Sequence, residues 1–167
     1  AFYDQVVKSA PKSAQSKSAL QGIKEIYVAE GDADGYFDYA QNMGLESNVS
    51  QLTRDSMAYI SAQKLYLENK MEAATASLSS YLKNYPQGYY RNDALFYLSD
   101  CYVRAGNEAE AIVSLSELAE QGQTQYSERV LDKLSSMCYK SERWAEAAKA
   151  YRSLYDVTSD AKLKKSS

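Results

Sequence analysis

The sequence predicts an all-α fold, an α-solenoid in which antiparallel helix hairpins stack into a right-handed superhelix. Three observations predict it. Proline and glycine are scarce, 2 and 7 of 167 residues, too few for a loop-rich or all-β chain. Strong helix formers (Ala, Leu, Glu, Lys and Gln) are plentiful. Third, one apolar pattern returns. Ala74, Leu78 and Tyr81 share a helix face at i, i+4 and i+7. Ala111, Leu115 and Leu118 repeat the set 37 residues later, and Ala147, Tyr151 and Leu154 repeat it 36 residues after that. A single hairpin cannot bury both of its faces, so the units must stack side by side.

Taken in chain order, residues 1–12 read as the tail of the second helix of a preceding repeat, cut at its start. Tyr3 and Val6 precede Pro11 by the same eight and five residues by which Leu78 and Tyr81 precede Pro86. Residues 13–44 form a divergent repeat. Leu20, Ile23, Ile26 and Tyr27 make one helical face, Gly31 supplies a turn, and Phe37, Ala40 and Met43 continue a second helix. Lys24 and Tyr36 stand there where the other copies carry small residues. Residues 45–54 are polar, with Ser47, Asn48 and Ser50, and read as a connecting segment; the sequon Asn48-Val49-Ser50 is taken as accidental.

Three closer copies follow, 55–88, 89–125 and 126–160. Each first helix carries a small-then-large pair: Ala62 and Leu65, Ser99 and Tyr102, Ser135 and Cys138. The small member lets a neighbouring helix approach, and the large one fills the space beside it. Asn69 and Gly106 stand at the turn, where both residue types tolerate the left-handed conformation that ends a helix. Glu142 breaks that rule, so an altered or strained turn is expected in the last copy. Residues 161–167 read as the start of a following segment, and the basic run Lys162, Lys164 and Lys165 as a solvated helix end.

Composition argues against several functions. The net charge is −3 and the sequence pI about 5.1, without a basic face, so no nucleic-acid partner is expected. No histidine is present, which removes His general bases and His-ligated metal sites. Cys101 and Cys138 fall on repeated apolar positions and read as buried, inert thiols rather than a redox pair. Glu108, Glu110, Glu142 and Glu146 lie in or near the first turns of second helices, where they complement the helix dipole. No phosphate-cradling glycine run and no membrane-spanning stretch is evident. Catalytic residues, cofactors and metals are therefore expected to be absent.

The stretch from Tyr85-Pro86-Gln87-Gly88 through Ala94, Tyr97, Leu98 and Tyr102 to Gly106 and Ala111 resembles the tetratricopeptide repeat family. The resemblance extends over about residues 13 to 160. The longer period and the Tyr85-Pro86 joint are similar to the subgroup found in bacterial envelope proteins, which implies a periplasmic or cell-envelope location, with the cytoplasm as the alternative. It also implies a protein or peptide partner held on the concave face lined by first helices. Transferred to this chain, that face consists of Tyr59, Gln63, Tyr66 and Leu67, then Phe96, Asp100, Val103 and Arg104, then Asp132, Ser136, Tyr139 and Lys140, with Gln21, Glu25 and Val28 in the divergent copy. The aromatics would give contact area at low entropic cost, and Arg104 and Lys140 could meet partner carboxylates. The plainer alternative is that Tyr59, Phe96 and Tyr139 pack one repeat on the next. The family's carboxylate-clamp variant needs Lys and Asn where this chain has Gln63, Asp100 and Ser136, so that activity is not expected. Trp144 follows the last turn and is expected to pack across its hairpin.

Two functions stay open on these residues. One is a protein-binding scaffold. The other is a spacer within a longer envelope protein, which sets distance without gripping a ligand.

Overall fold

A computed structural model of the chain describes residues 2–9, 13–44 and 50–166. Among the described residues every regular element is an α-helix. In order they are α1 (Phe2–Ser9), α2 (Ala14–Glu30), α3 (Ala33–Asn42), α4 (Gln51–Leu67), α5 (Met71–Asn84), α6 (Arg91–Ala105), α7 (Glu108–Glu120), α8 (Ser127–Lys140) and α9 (Trp144–Ser166). The chain divides into two compact units, Ala1–Arg91 and Asn92–Ser167.

Each hairpin turns in the same way, and the sequence shows why. The first helix ends on a residue with positive φ: Gly31 (76°), Asn69 (60°), Gly106 (76°) and Glu142 (58°). The N–H of that residue donates to a carbonyl three residues back, on Val28, Tyr66, Val103 and Tyr139 respectively. The following N–H, on Asp32, Lys70, Asn107 and Arg143, donates five residues back to Tyr27, Leu65, Tyr102 and Cys138. These paired bonds form the Schellman cap, which satisfies carbonyls the helix would otherwise leave open. Glu142 therefore keeps the turn of its siblings instead of altering it. It holds a left-handed conformation that costs a residue with a Cβ about 1 kcal/mol relative to glycine.

The unit Ala1–Arg91 packs α1 on α2, α2 on α3, and α4 on both members of that hairpin and on α5. Val7, Ala19, Ile23, Tyr36, Phe37 and Ala40 form one core cluster. The two departures in the divergent copy compensate each other. Tyr36 is buried where the later copies have alanine, and the Lys24 ammonium lies over its ring, 5.7 Å from the centroid. The large ring fills the space, and the cation sits on its electron-rich face. Farther along, α4 and α5 bury Ala62, Leu65, Ala74, Leu78 and Tyr81, the repeated positions read from the sequence, together with Ala58. The Ser77 hydroxyl donates to the Gly31 carbonyl at 2.6 Å, fastening α5 to the α2–α3 turn.

The unit Asn92–Ser167 is built from α6, α7, α8 and α9. Of the repeated positions read from the sequence, Ser99, Cys101, Ala111, Leu115, Leu118, Ser135, Cys138 and Ala147 are buried, with Ala94, Leu98 and Leu134 beside them. Tyr102 and Leu154 are only half-buried, and Tyr151, expected on the buried face, is 47% exposed, since α9 packs chiefly on α8. The buried hydroxyls of Ser99 and Ser135 donate to carbonyls of their own helices, on Phe96 and Asp132. Both small positions thus accept a polar atom without leaving it unpaired. Cys101 and Cys138 are free and buried, and burial raises the pKa of the Cys138 thiol above its ordinary value. Both observations agree with inert packing residues.

Two boundaries differ from the sequence reading. The connecting segment 45–54 is shorter than expected. Ser50 caps α4 by accepting the Thr53 N–H at 3.1 Å, so residues 51–54 are already helical. Residues 45–49, including Asn48 of the sequon, lie outside the described residues. The boundary at 160/161 is absent, because α9 runs unbroken from Trp144 to Ser166. No glycine or proline occurs in that stretch to end it.

Candidate binding surface

The aromatic residues expected on the inner face divide between packing and display. In the unit Ala1–Arg91, Tyr59 is only 5% exposed. Its ring stacks on Tyr90 with centroids 4.4 Å apart and planes 3° from parallel, and its hydroxyl accepts the Gln63 side-chain amide at 2.8 Å. In the unit Asn92–Ser167, Phe96 is half-buried and stacks on Tyr126, with centroids 4.2 Å apart and planes at 12°. The Arg129 guanidinium lies over the Phe96 ring at 5.0 Å. In both units an aromatic of the first helix meets a tyrosine from the loop leading into the next first helix. Tyr59 therefore closes the unit Ala1–Arg91 against Tyr90, Phe96 serves the joint between α6 and α8, and only part of Phe96 remains for a partner.

Tyrosine hydroxyls paired with aspartates stand at the same two places and at a third, between α3 and the end of α5. Tyr81 donates to Asp55 Oδ1 at 2.5 Å, and Asp55 Oδ2 accepts the Tyr89 N–H at 2.7 Å. The Tyr81 oxygen in turn accepts the Tyr90 N–H at 3.1 Å. Gly88 makes this possible, since a Cβ there would sit 2.5 Å from the Tyr81 hydroxyl and 2.9 Å from Asp55 Oδ1. Tyr85 donates to Asp34, and Tyr126 donates to Asp93. Burial first, and the neighbouring carboxylate second, raise the pKa of all three phenols well above the ordinary value.

The structure brings four expected residues together in the unit Asn92–Ser167. Phe96, Asp100 and Val103 of α6 and Asp132 of α8 line one hollow of about 280 Å³. Its apolar floor includes Val103, Leu115 and Val130, and Arg129 and Lys133 stand at its edge. Asp100 is bound by Arg104, one turn along α6, at 2.6 Å. Tyr139 and Lys140 lie at the far end of α8, outside the lining of this hollow, and are exposed. Tyr139, 57% exposed, meets the equally exposed Trp144 edge-on across the α8–α9 turn, with centroids 5.1 Å apart. Gln63 and Tyr66 lie on α4 and are half-buried.

Sequence reasoning missed Arg129 and Lys133. The signal was present, since both lie within a helical turn of Asp132 on α8. Among the described residues no group of three or more Cys, Asp or Glu side chains could hold a metal ion, and no helix is long and apolar enough to cross a membrane.

Capped hairpins with recurring small positions and recurring aromatic joints define a helical-repeat protein. The family model of the tetratricopeptide repeat matches residues 93–121, and that stretch, covering nearly all of α6 and α7, is a tetratricopeptide repeat. Such repeats act in general as protein–protein interaction scaffolds. Comparison with curated proteins finds no match, and neither does comparison with solved structures.

Proposed function

We propose that this chain is a protein-binding scaffold that holds a peptide segment of its partner on the first-helix face of α6 and α8. One observation carries the reading. Residues 93–121 form a tetratricopeptide repeat, and its first helix shares with α8 a hollow that combines an apolar floor with charges of both signs. An apolar side chain would sit against Val103 and Val130, and Arg129, Lys133 and Asp132 would fix its flanks by charge. Tyr139 and Trp144 extend the surface with exposed aromatic area. The repeat period and the Tyr85-Pro86 joint favour a bacterial cell-envelope setting for this scaffold.

The test uses exposed positions, so that the fold is retained. Asp132→Lys with Tyr139→Ala should keep the helical circular dichroism and Tm of the parent. The parent, immobilised beside this variant, should retain at least one protein from envelope extract that the variant loses. Equal capture by both would overturn the assignment of this face.

A second reading is the spacer, and the burial of Tyr59 and the stacking of Phe96 favour it. Rings spent on internal joints set geometry rather than affinity. A spacer would tolerate Asp132→Lys and Lys133→Glu in the intact protein without loss of function.

A further inference from the structure

A second hollow in the unit Asn92–Ser167, of about 540 Å³, lies between the second helices α7 and α9. It uses none of the residues lining the α6–α8 hollow. Its floor is apolar, from Ile112, Leu131, Leu134 and Ala150. Val113, 63% exposed, stands among its lining residues. Ser116 and Ala119 on α7 and Ser153 on α9 keep both walls low. Along each wall the lining spans about two helical turns, roughly 11 Å at 1.5 Å per residue.

The two walls differ in charge. Every charged residue of α7 is acidic: Glu108, Glu110, Glu117 and Glu120, of which the last two line the trough. On the α9 side Arg143 is committed to Glu146 through bonds of 2.5 and 2.7 Å, and Lys149 stands beyond them. The lining thus carries three carboxylates against two cations, with the acidic excess on α7.

We infer that the trough between α7 and α9 docks an amphipathic helix from a partner protein, two to three turns long, apolar toward the floor and basic along the edge beside α7. This goes beyond the first-helix reading and does not depend on it. Three physical reasons select a helix. Low walls of Ser and Ala let a helical backbone approach closely. Anchors at i, i+3 or i+4, and i+7 span about 10 Å, which matches the length of the walls. An extended segment would bring unpaired amides against helices whose own backbone groups are already bonded, whereas a helix satisfies its own. The acidic α7 wall selects a basic edge.

The experiment uses the full chain and two designed helical peptides of fourteen residues with one apolar face, one edged with Lys and the other with Glu. A third peptide is the Lys-edged sequence interrupted by proline. Fluorescence anisotropy at low salt should show the Lys-edged helix binding about ten-fold more tightly than the Glu-edged one, a preference that shrinks as salt screens it. Amide NMR signals of Ile112–Glu120 and Lys149–Ser153 should shift on titration. Glu117→Lys with Glu120→Lys should reverse the preference. If that pair lowers Tm, the exposed Glu120→Lys alone should reduce the preference at least about three-fold. Several results would overturn the inference. They are equal affinity for both helices, no binding of either at high micromolar concentration, undiminished binding of the proline-interrupted peptide, signals confined to α6 and α8, and a preference unmoved by Glu120→Lys. Self-association of the chain that Val113→Asp abolishes would assign the trough to a second copy and would overturn it as well.

Discussion

Glu142 and Gly106 occupy the same place in successive hairpins, with φ of 58° and 76°, yet only one has a side chain to strain. Glu142→Gly should therefore stabilise the chain by about 1 kcal/mol, and Gly106→Ala should destabilise it by a similar amount. Thermal melts of the two variants should move in opposite directions from the parent. Gly31→Ala should cost more than Gly106→Ala. A Cβ at Gly31 would stand 2.5 Å from Leu65 Cδ1 and 2.8 Å from the Ser77 hydroxyl, whereas the space at Gly106 is open. The tyrosine–aspartate pairs give a pH dependence. The pKa values of Tyr81, Tyr85 and Tyr126 are raised on folding, so their contribution is complete below the unfolded phenol value of about 10 and is lost as pH climbs above it. A spectrophotometric titration should show these three phenols ionising above that value and together with loss of helicity. Their ionisation at the unfolded value, with the helices intact, would count against the pairing.

At the scale of elements, the hairpins were legible because helices write their buried face at i, i+4 and i+7, and Ala74, Leu78 and Tyr81 do so without interruption. The turns were legible where Gly or Asn marked them and obscure at Glu142, where backbone bonding imposes the conformation against the side chain's preference. The joints were overlooked rather than hidden. Tyr90 and Tyr126 each stand one residue before the helix that follows and are 36 residues apart, one repeat period, but they lie outside the helical face that the apolar pattern picks out. Their partners Tyr59 and Phe96 look like display residues until the stacks are seen. Of the expected inner-face residues, Phe96, Asp100, Val103 and Asp132 line one hollow, because residues one or two turns apart on neighbouring helices can converge. Tyr126→Phe should keep the stack and lose only the bond to Asp93, costing about 1 kcal/mol, whereas Tyr126→Ala should cost about 2–3 kcal/mol. Denaturant melts of both, with a double-mutant cycle against Asp93→Ala, would separate ring from hydroxyl. Equal losses would mean that the ring contributes nothing.

For the molecule as a whole, the division at Arg91 falls just beyond the aromatic pair Tyr89 and Tyr90. Both belong to the closure of the unit Ala1–Arg91, since Tyr89 donates its N–H to Asp55 and Tyr90 covers Tyr59. A fragment of residues 1–91 should fold cooperatively. A fragment of residues 1–86 should melt several degrees lower, because the Asp55 carboxylate loses a charge-assisted bond worth about 1.5–3 kcal/mol. Indistinguishable melting curves would show that the closure is dispensable.

The same pair of tyrosines bears on how such a chain can be recombined. A cassette cut at Pro86 would leave behind the ring that closes its own first helix, and the transplanted piece would have to find an aromatic in its new neighbour. A cassette of residues 55–91 carries its seal with it. The unit that can be copied or grafted intact is thus set by where an aromatic lands and not by where a helix stops. An array assembled from such units would depend less on which repeat comes next.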